Sequence, residues 1–301
     1  MSTRFKAYLF LLTTAVIWGA AGPVIKFTLA GIEPLPFLAY RFAISAVFSI
    51  FFFSAKIAQG KKFRNLKANF PLALLYGFLA VPLALSLLFF GLEKSTVLDS
   101  TLITIAGPII VTLGAVHFFR DHITKREKLG IMIVLLGVIL NSLLPIFQGG
   151  QGIRLTGNLL LLVYLLADSG SVLLAKKAIK NKTKSANLTS LAFIVGAVCL
   201  IPLTILIYGW ENLLTTILTL PLKYHFGVWY MALLSGNLAY FMYVRGQRSI
   251  EVSEAVLFNY LIPLFSVPLA VFWLGESLSL SFILGAIIIA TGVYIAEKKK
   301  H

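Results

Sequence analysis

The sequence predicts an all-α polytopic membrane protein whose ten transmembrane helices form two inverted five-helix repeats around a central cavity. Three observations lead to that fold class. The apolar content exceeds what a soluble core holds, the apolar residues come in blocks of about twenty, and the chain repeats itself at an offset of 155 residues.

The 301 residues are 59% hydrophobic and only 12% charged, so lipid must solvate apolar surface that one soluble core cannot bury. The blocks fall near 8–27, 37–55, 71–91, 97–118, 129–147, 157–176, 187–208, 225–245, 253–273 and 278–296. At a helical rise of about 1.5 Å per residue, each crosses a hydrocarbon layer of about 30 Å. The first block is too long for a signal-peptide core, and Lys26 and Phe27 follow Gly22 and Pro23 without a cleavage site, so it is expected to stay on the chain.

The formal charge is +15, and the positions of the 26 basic residues decide what it means. With the N-terminus inside, 21 of them fall on the cytoplasmic side, and Lys26, Arg41, Lys94, Arg154 and Lys223 lie outside or toward the outer helix ends. That asymmetry predicts both termini in the cytoplasm, with attraction to anionic membrane lipid as a secondary effect. It makes nucleic acid an unexpected partner. The expected location is a prokaryotic cytoplasmic (inner) membrane. The single cysteine, Cys199, rules out an intramolecular disulfide and a thiolate metal cluster. No cofactor or metal is expected.

The repeat aligns residues 91–140 with 246–295 without a gap. It pairs Gly91 with Gly246, Pro108 with Pro263, Gly130 with Gly285 and Gly137 with Gly292, and the acidic Asp99 with Glu254 and Asp121 with Glu276. Co-registered glycines and prolines mark backbone features that composition alone does not place. The repeats are assigned to residues 1–150 and 151–301. Five helices per repeat, an odd number, put the second copy into the membrane from the opposite side. Such inverted repeats characterise transporters that alternate access about a central site.

Trp18, Gly19 and Lys26 in the first block, Pro34 with Arg41 at the second, and the repeated pattern of proline, acidic turn and glycines resemble the drug/metabolite transporter superfamily, in its EamA-type ten-helix branch. The pattern runs Pro108, Arg120-Asp121, Gly130, Gly137, then Pro263, Gly275-Glu276, Gly285, Gly292. The likeness covers essentially the whole chain. Arg120-Asp121 departs from the usual Gly-Glu, and Asp168 stands where an aromatic residue is commoner. The resemblance implies two bundles and a cavity lined mainly by helices 1, 3, 4, 6, 8 and 9, without naming one substrate.

Asp168 is the sharpest candidate, because a carboxylate near the middle of a membrane helix costs about 2.5 to 3.5 kcal/mol on insertion scales. Tyr164, Asp168 and Ser171 share one helix face. The carboxylate fits two roles, binding a substrate amine or loading a coupled proton; a buried structural Asp is the plainer alternative. Trp18 beside Gly19 and Gly22, Asn237 and Tyr240 in the eighth block, Asn259 and Tyr260 in the ninth, and Thr101 and Thr104 in the fourth complete the expected substrate-binding set. Each is equally compatible with helix packing or an interhelical hydrogen bond.

Asp99 and Glu254 are expected gate residues. Arg41 and Lys26 are expected to snorkel to the outer interface, or to attract an anion at the outer mouth. Pro108, Pro263 and Pro268 are expected kinks or hinges.

The expected function is secondary transport: export of small metabolites, amino acids or related amines, by a monomer or homodimer working through alternating access. No P-loop suggests direct ATP use. A lipid-linked-sugar flippase subunit and a non-transporting membrane scaffold are the alternatives. An intramembrane aspartyl enzyme pairing Asp99 with Asp168 is disfavoured by their difference in depth, so no enzyme activity and no catalytic residue are expected.

Overall fold

The computed structural model describes residues 3–58, 64–119, 124–147, 152–246 and 258–297. Those residues are overwhelmingly helical and contain no strand. A chain in lipid must satisfy its backbone within each segment, and the helix does so.

Helices α1 (Thr3–Thr28) and α2 (Pro34–Ala58) meet at a short turn, and α2 opens on Pro34, where a missing amide costs nothing. The short α3 (Arg64–Ala68) leads into α4 (Phe70–Lys94). Helix α5 (Val97–Phe119) is capped by Thr96, whose hydroxyl accepts the Asp99 amide at 3.0 Å. Helix α6 (Lys125–Phe147) starts on a reciprocal box: the Thr124 amide donates to Glu127 at 2.5 Å and the Glu127 amide to Thr124 at 3.2 Å.

Helix α7 (Gly152–Lys180) ends at Lys182, whose φ of 64° lets the Lys182 and Thr183 amides cap Ile179 and Ala178 carbonyls. Helices α8 (Ser185–Tyr208) and α9 (Trp210–Leu218) are separated by Gly209 at φ 78°. Helix α10 runs through Leu222–Trp229, Tyr230–Leu238 and Ala239–Gly246. Helices α11 (Phe258–Phe272) and α12 (Leu280–Glu297) complete the described chain.

Six of these helices, α1, α2, α4, α5, α7 and α8, contain a stretch long and apolar enough to cross a bilayer, and α11 and α12 include shorter apolar helices. Helices α6 and α10 coincide with the two remaining expected blocks. Leu206 on α8 and Phe272 on α11 are 84% and 89% exposed, as suits side chains that face lipid. Inside, Phe37, Phe42 and Phe89 are wholly buried, and the rings of Phe37 and Phe89 meet edge to face at 4.9 Å.

Three features were absent from the block pattern. Helix α9 is a short amphipathic segment that buries Leu213 alone among its residues. Leu79–Leu83 in α4 and Tyr230–Leu238 in α10 are widened π-helical stretches. Pro82 lies in the first, where it lacks an amide and its ring pushes away the carbonyl one turn earlier.

Glycines set the closest helix crossings. A Cβ on Gly130 of α6 would stand 2.6 Å from both the Ala296 amide nitrogen and the Gly292 carbonyl oxygen of α12. A Cβ on Gly285 of α12 would meet Asn141 of α6 at 3.0 Å. Gly19 brings α1 against Phe265 and Ile262 of α11 in the same way.

Candidate functional site

The centre of the bundle collects side chains from α1, α2, α4, α7, α8 and α10. Asp168 of α7 is half-buried, and its carboxylate makes no hydrogen bond or ion pair among the described residues. Its charge reaches the phenols of Tyr76, Tyr164 and Tyr240, which come from α4, α7 and α10. The Tyr240 ring stands edge-on to Trp18 at 5.3 Å and to Phe193 of α8 at 6.0 Å. Tyr243 also packs on Trp18, tilted, at 5.1 Å.

Trp18 is held by its polar edge. The indole N–H donates to the Ser235 carbonyl at 3.1 Å, a group inside the π-helical stretch of α10. Asn237 serves the same stretch, its side chain donating to the Ala232 carbonyl at 2.8 Å. Tyr230 donates to the Ile17 carbonyl at 2.7 Å, so the widened stretch is tied to α1 at two neighbouring residues.

Arg41 corrects the expectation of a snorkelling residue at the outer mouth. Its side chain enters the core of α2 at 4% exposure, with the guanidinium carbon 5.0 Å from the Phe42 ring centroid and 5.8 Å from that of Phe89. The rings supply cation–π attraction that lipid or water would otherwise have to replace. Nε and Nη1 have no hydrogen-bond partner among the described residues, and Arg41 and Tyr240 influence each other electrostatically. The sequence carried one signal for this: Phe42 beside Arg41, in a block otherwise free of charge until Lys56.

Several expected substrate-binding residues are engaged elsewhere. Ser171 donates to the Asp168 backbone carbonyl at 2.8 Å and does not touch the carboxylate. Thr101 donates to the Val97 carbonyl at 2.7 Å and bonds Ser266 of α11 at 2.9 Å, while Thr104 turns back to the Thr101 carbonyl at 3.0 Å. Asn259 and Tyr260 lie in the 3-10 turn Phe258–Leu261 that starts α11, and Phe258 there packs on Tyr8 near the start of α1. Ten residues separate Tyr8 from Trp18, which is about 15 Å along a helix. The set expected around one cavity is therefore not gathered at one level.

Two of the three prolines stand at local breaks. Pro108 follows the interruption of α5 at Ala106, Pro263 sits in the first turn of the α-helical part of α11, and Pro268 lies within it.

The expected gate residues split likewise. Asp99 is fully buried and gripped by Arg154 of α7, with Asn141, Asn158 and Ser95 as further partners. Lys26 donates to the Leu92, Glu93 and Ser95 carbonyls at 2.7, 3.1 and 2.6 Å. Its three donors are thereby occupied, which removes the expected anion capture at the outer mouth. Glu254 lies outside the described residues.

Glu276, which the sequence paired only with Asp121, holds the same junction. Its carboxylate accepts the Val97 and Leu98 amides at 2.7 and 3.0 Å, at the start of α5. Burial pushes its carboxyl above the usual glutamate value, against the pull of those two amides and of Lys26.

Comparison with known proteins adds a family match. The model of the EamA-like transporter family matches residues 5–143 and again 155–297. The "Uncharacterized transporter YyaM" of Bacillus subtilis is 24% identical, over 98% of this chain and 94% of that protein. A "Probable amino-acid metabolite efflux pump" of Salmonella typhimurium is 24% identical, over 97% of this chain and 95% of that protein. One crystal structure superposes with a TM-score of 0.62 at 14% identity over 98% of each chain, which shows a shared fold.

Proposed function

This chain belongs to the EamA-like transporter family, and from that membership we propose that it exports small metabolites, amino acids or related amines, by alternating access of a site centred on Asp168. The family and its named relatives are transporters rather than enzymes, and the apolar helices make the chain an integral membrane protein. The observation that carries the finer reading is the Asp168 carboxylate, set among three phenols in the bundle with no hydrogen-bond or ion-pair partner among the described residues. An ionisable group at such depth is expensive unless a ligand or proton uses it. A substrate amine offsets that cost.

Two inverted repeats rocking about this site fit the contacts between α6 and α12. Gly130 meets Ala296 and Gly292, and Gly285 meets Asn141. Shifted by the repeat offset, Gly130 becomes Gly285 and Asn141 becomes Ala296, so the two contacts are equivalents of each other. Both termini on the cytoplasmic side follow from the distribution of basic residues.

The test is Asp168→Asn in proteoliposomes loaded with a panel of amino acids and amines. The expected result is loss of transport, or an altered pH dependence, in a protein that remains folded by thermal unfolding. Wild-type rates with wild-type pH dependence overturn the role given to Asp168.

A further inference from the structure

Two charged side chains deep in the bundle lack a countercharge among the described residues. Asp168 on α7 makes no hydrogen bond or ion pair among the described residues, and the Nε and Nη1 of Arg41 on α2 are buried without an acceptor. They are not paired with each other. Tyr240 on α10 relates them: its ring meets Phe193 at 6.0 Å, Phe193 meets Phe42 at 6.0 Å, the Arg41 guanidinium lies over Phe42 at 5.0 Å, and the Asp168 carboxylate is within electrostatic reach of the Tyr240 phenol. We infer that Arg41 and Asp168 are the two poles of one substrate site, Arg41 taking the carboxylate and Asp168 the ammonium of a zwitterion that spans Tyr240. This inference rests on the export reading above and narrows its cargo from amines in general to molecules that carry both charges.

A buried guanidinium left with free donors forfeits hydrogen bonds that water would have supplied, and two aromatic faces return only part of them. Its planar fork matches a carboxylate, which can accept two parallel N–H bonds. A cargo bearing only an amine would satisfy Asp168 while leaving Arg41 unpaired and repelling it. A cargo bearing only a carboxylate meets the converse penalty at Asp168. The zwitterion alone satisfies both poles and adds no net charge to the bundle, where uncompensated charge is most costly. The rings of Trp18, Tyr164, Phe193 and Tyr240 leave an aromatic environment for an apolar side chain of the cargo.

The full-length chain in proteoliposomes tests this through inhibition of labelled leucine and phenylalanine counterflow. The competitors are each free amino acid, its methyl ester, which is a cation only, and its N-acetyl derivative, which is an anion only. In the wild type the free amino acid is expected to compete at least about tenfold better than either derivative, the scale of one lost charge-assisted hydrogen bond.

Arg41→Gln is expected to raise the half-inhibiting concentration of the free amino acid to that of the ester, with the ester unchanged. Asp168→Asn, expected to lose transport, is read by thermal stabilisation of the detergent-purified chain, where the shift given by the free amino acid should fall to that given by the N-acetyl derivative. If Arg41→Gln does not fold, Arg41→Lys is read by thermal stabilisation of the detergent-purified chain. The shift given by the free amino acid should then shrink toward that given by the ester.

Esters equal to free amino acids in the wild type, or an unchanged preference in the folded Arg41 variant, overturn the two-pole site and leave amine export standing. Failure of a folded wild type to move any of these compounds overturns the export reading itself.

Discussion

Arg154 grips Asp99 through two hydrogen bonds, Nε to Oδ2 at 2.8 Å and Nη2 to Oδ1 at 3.0 Å, and so ties the start of α7 to the first turn of α5. Asp99 is fully buried, and Asn141 and Asn158 donate to the same carboxylate. Removing one partner of such a pair leaves the other uncompensated. Arg154→Ala is expected to cost about 3 kcal/mol, at the low end for a buried pair because the Arg154 side chain keeps some exposure. Thermal unfolding in detergent checks it, and a double mutant with Asp99→Asn should cost less than the sum of the two singles.

Glu276 predicts a pH effect with a definite sign. Its folded-state carboxyl lies above the ordinary value of 4.5, so the folded chain binds this proton more readily than the unfolded chain. The stabilisation it contributes is fully present below 4.5 and is lost as pH rises through the raised value. Glu276→Gln should therefore flatten this part of the stability–pH curve and be at least as stable as the wild type at pH 7. A glutamine variant that keeps the step, or that melts earlier at pH 7, contradicts the balance of burial over amide bonding.

Two glycines separate steric from conformational demands. A Cβ on Gly292 would come within 2.8 Å of the Gly130 carbonyl oxygen and the Val134 amide nitrogen, so Gly292→Val is expected to cost about 2 to 3 kcal/mol by forcing α6 and α12 apart. Gly275 has open space around it but a φ of 70°, so Gly275→Ala should cost only about 1 kcal/mol, from the left-handed backbone. Melting of the purified variants ranks them, and the reverse order would refute the crossing.

Trp18 offers a test of its polar edge. Trp18→Phe keeps a ring beside Tyr240 but loses the bond to the Ser235 carbonyl, leaving that carbonyl short of a donor. The expected cost is about 1 to 2 kcal/mol in thermal unfolding. Trp18→Ala should cost more, about 2 to 3 kcal/mol, because a large half-buried ring is lost as well. Equal losses in the two variants would assign the whole contribution of Trp18 to the indole bond.

Much of the fold was legible because lipid imposes a one-dimensional rule. Every apolar block had to become a helix that satisfies its own backbone, and blocks such as 97–118 and 187–208 match Val97–Phe119 and Ser185–Tyr208 closely. Asp168 was legible for the same reason, since depth follows from position along a helix. The π-helical stretches were not, because a widened turn depends on which carbonyl a neighbouring helix engages, as Trp18 does at Ser235.

Arg41 and Lys26 divide what sequence decides from what tertiary structure decides. By itself the sequence determined that both are cations on apolar helices, and that each must find a way to satisfy its charge. Only the packing chose the ways. Lys26 met three carbonyls at the junction of α4 and α5, whereas Arg41 met the faces of Phe42 and Phe89 and turned inward toward Tyr240. Long, flexible side chains reach several environments from one backbone position, so the neighbours brought by other helices select among them.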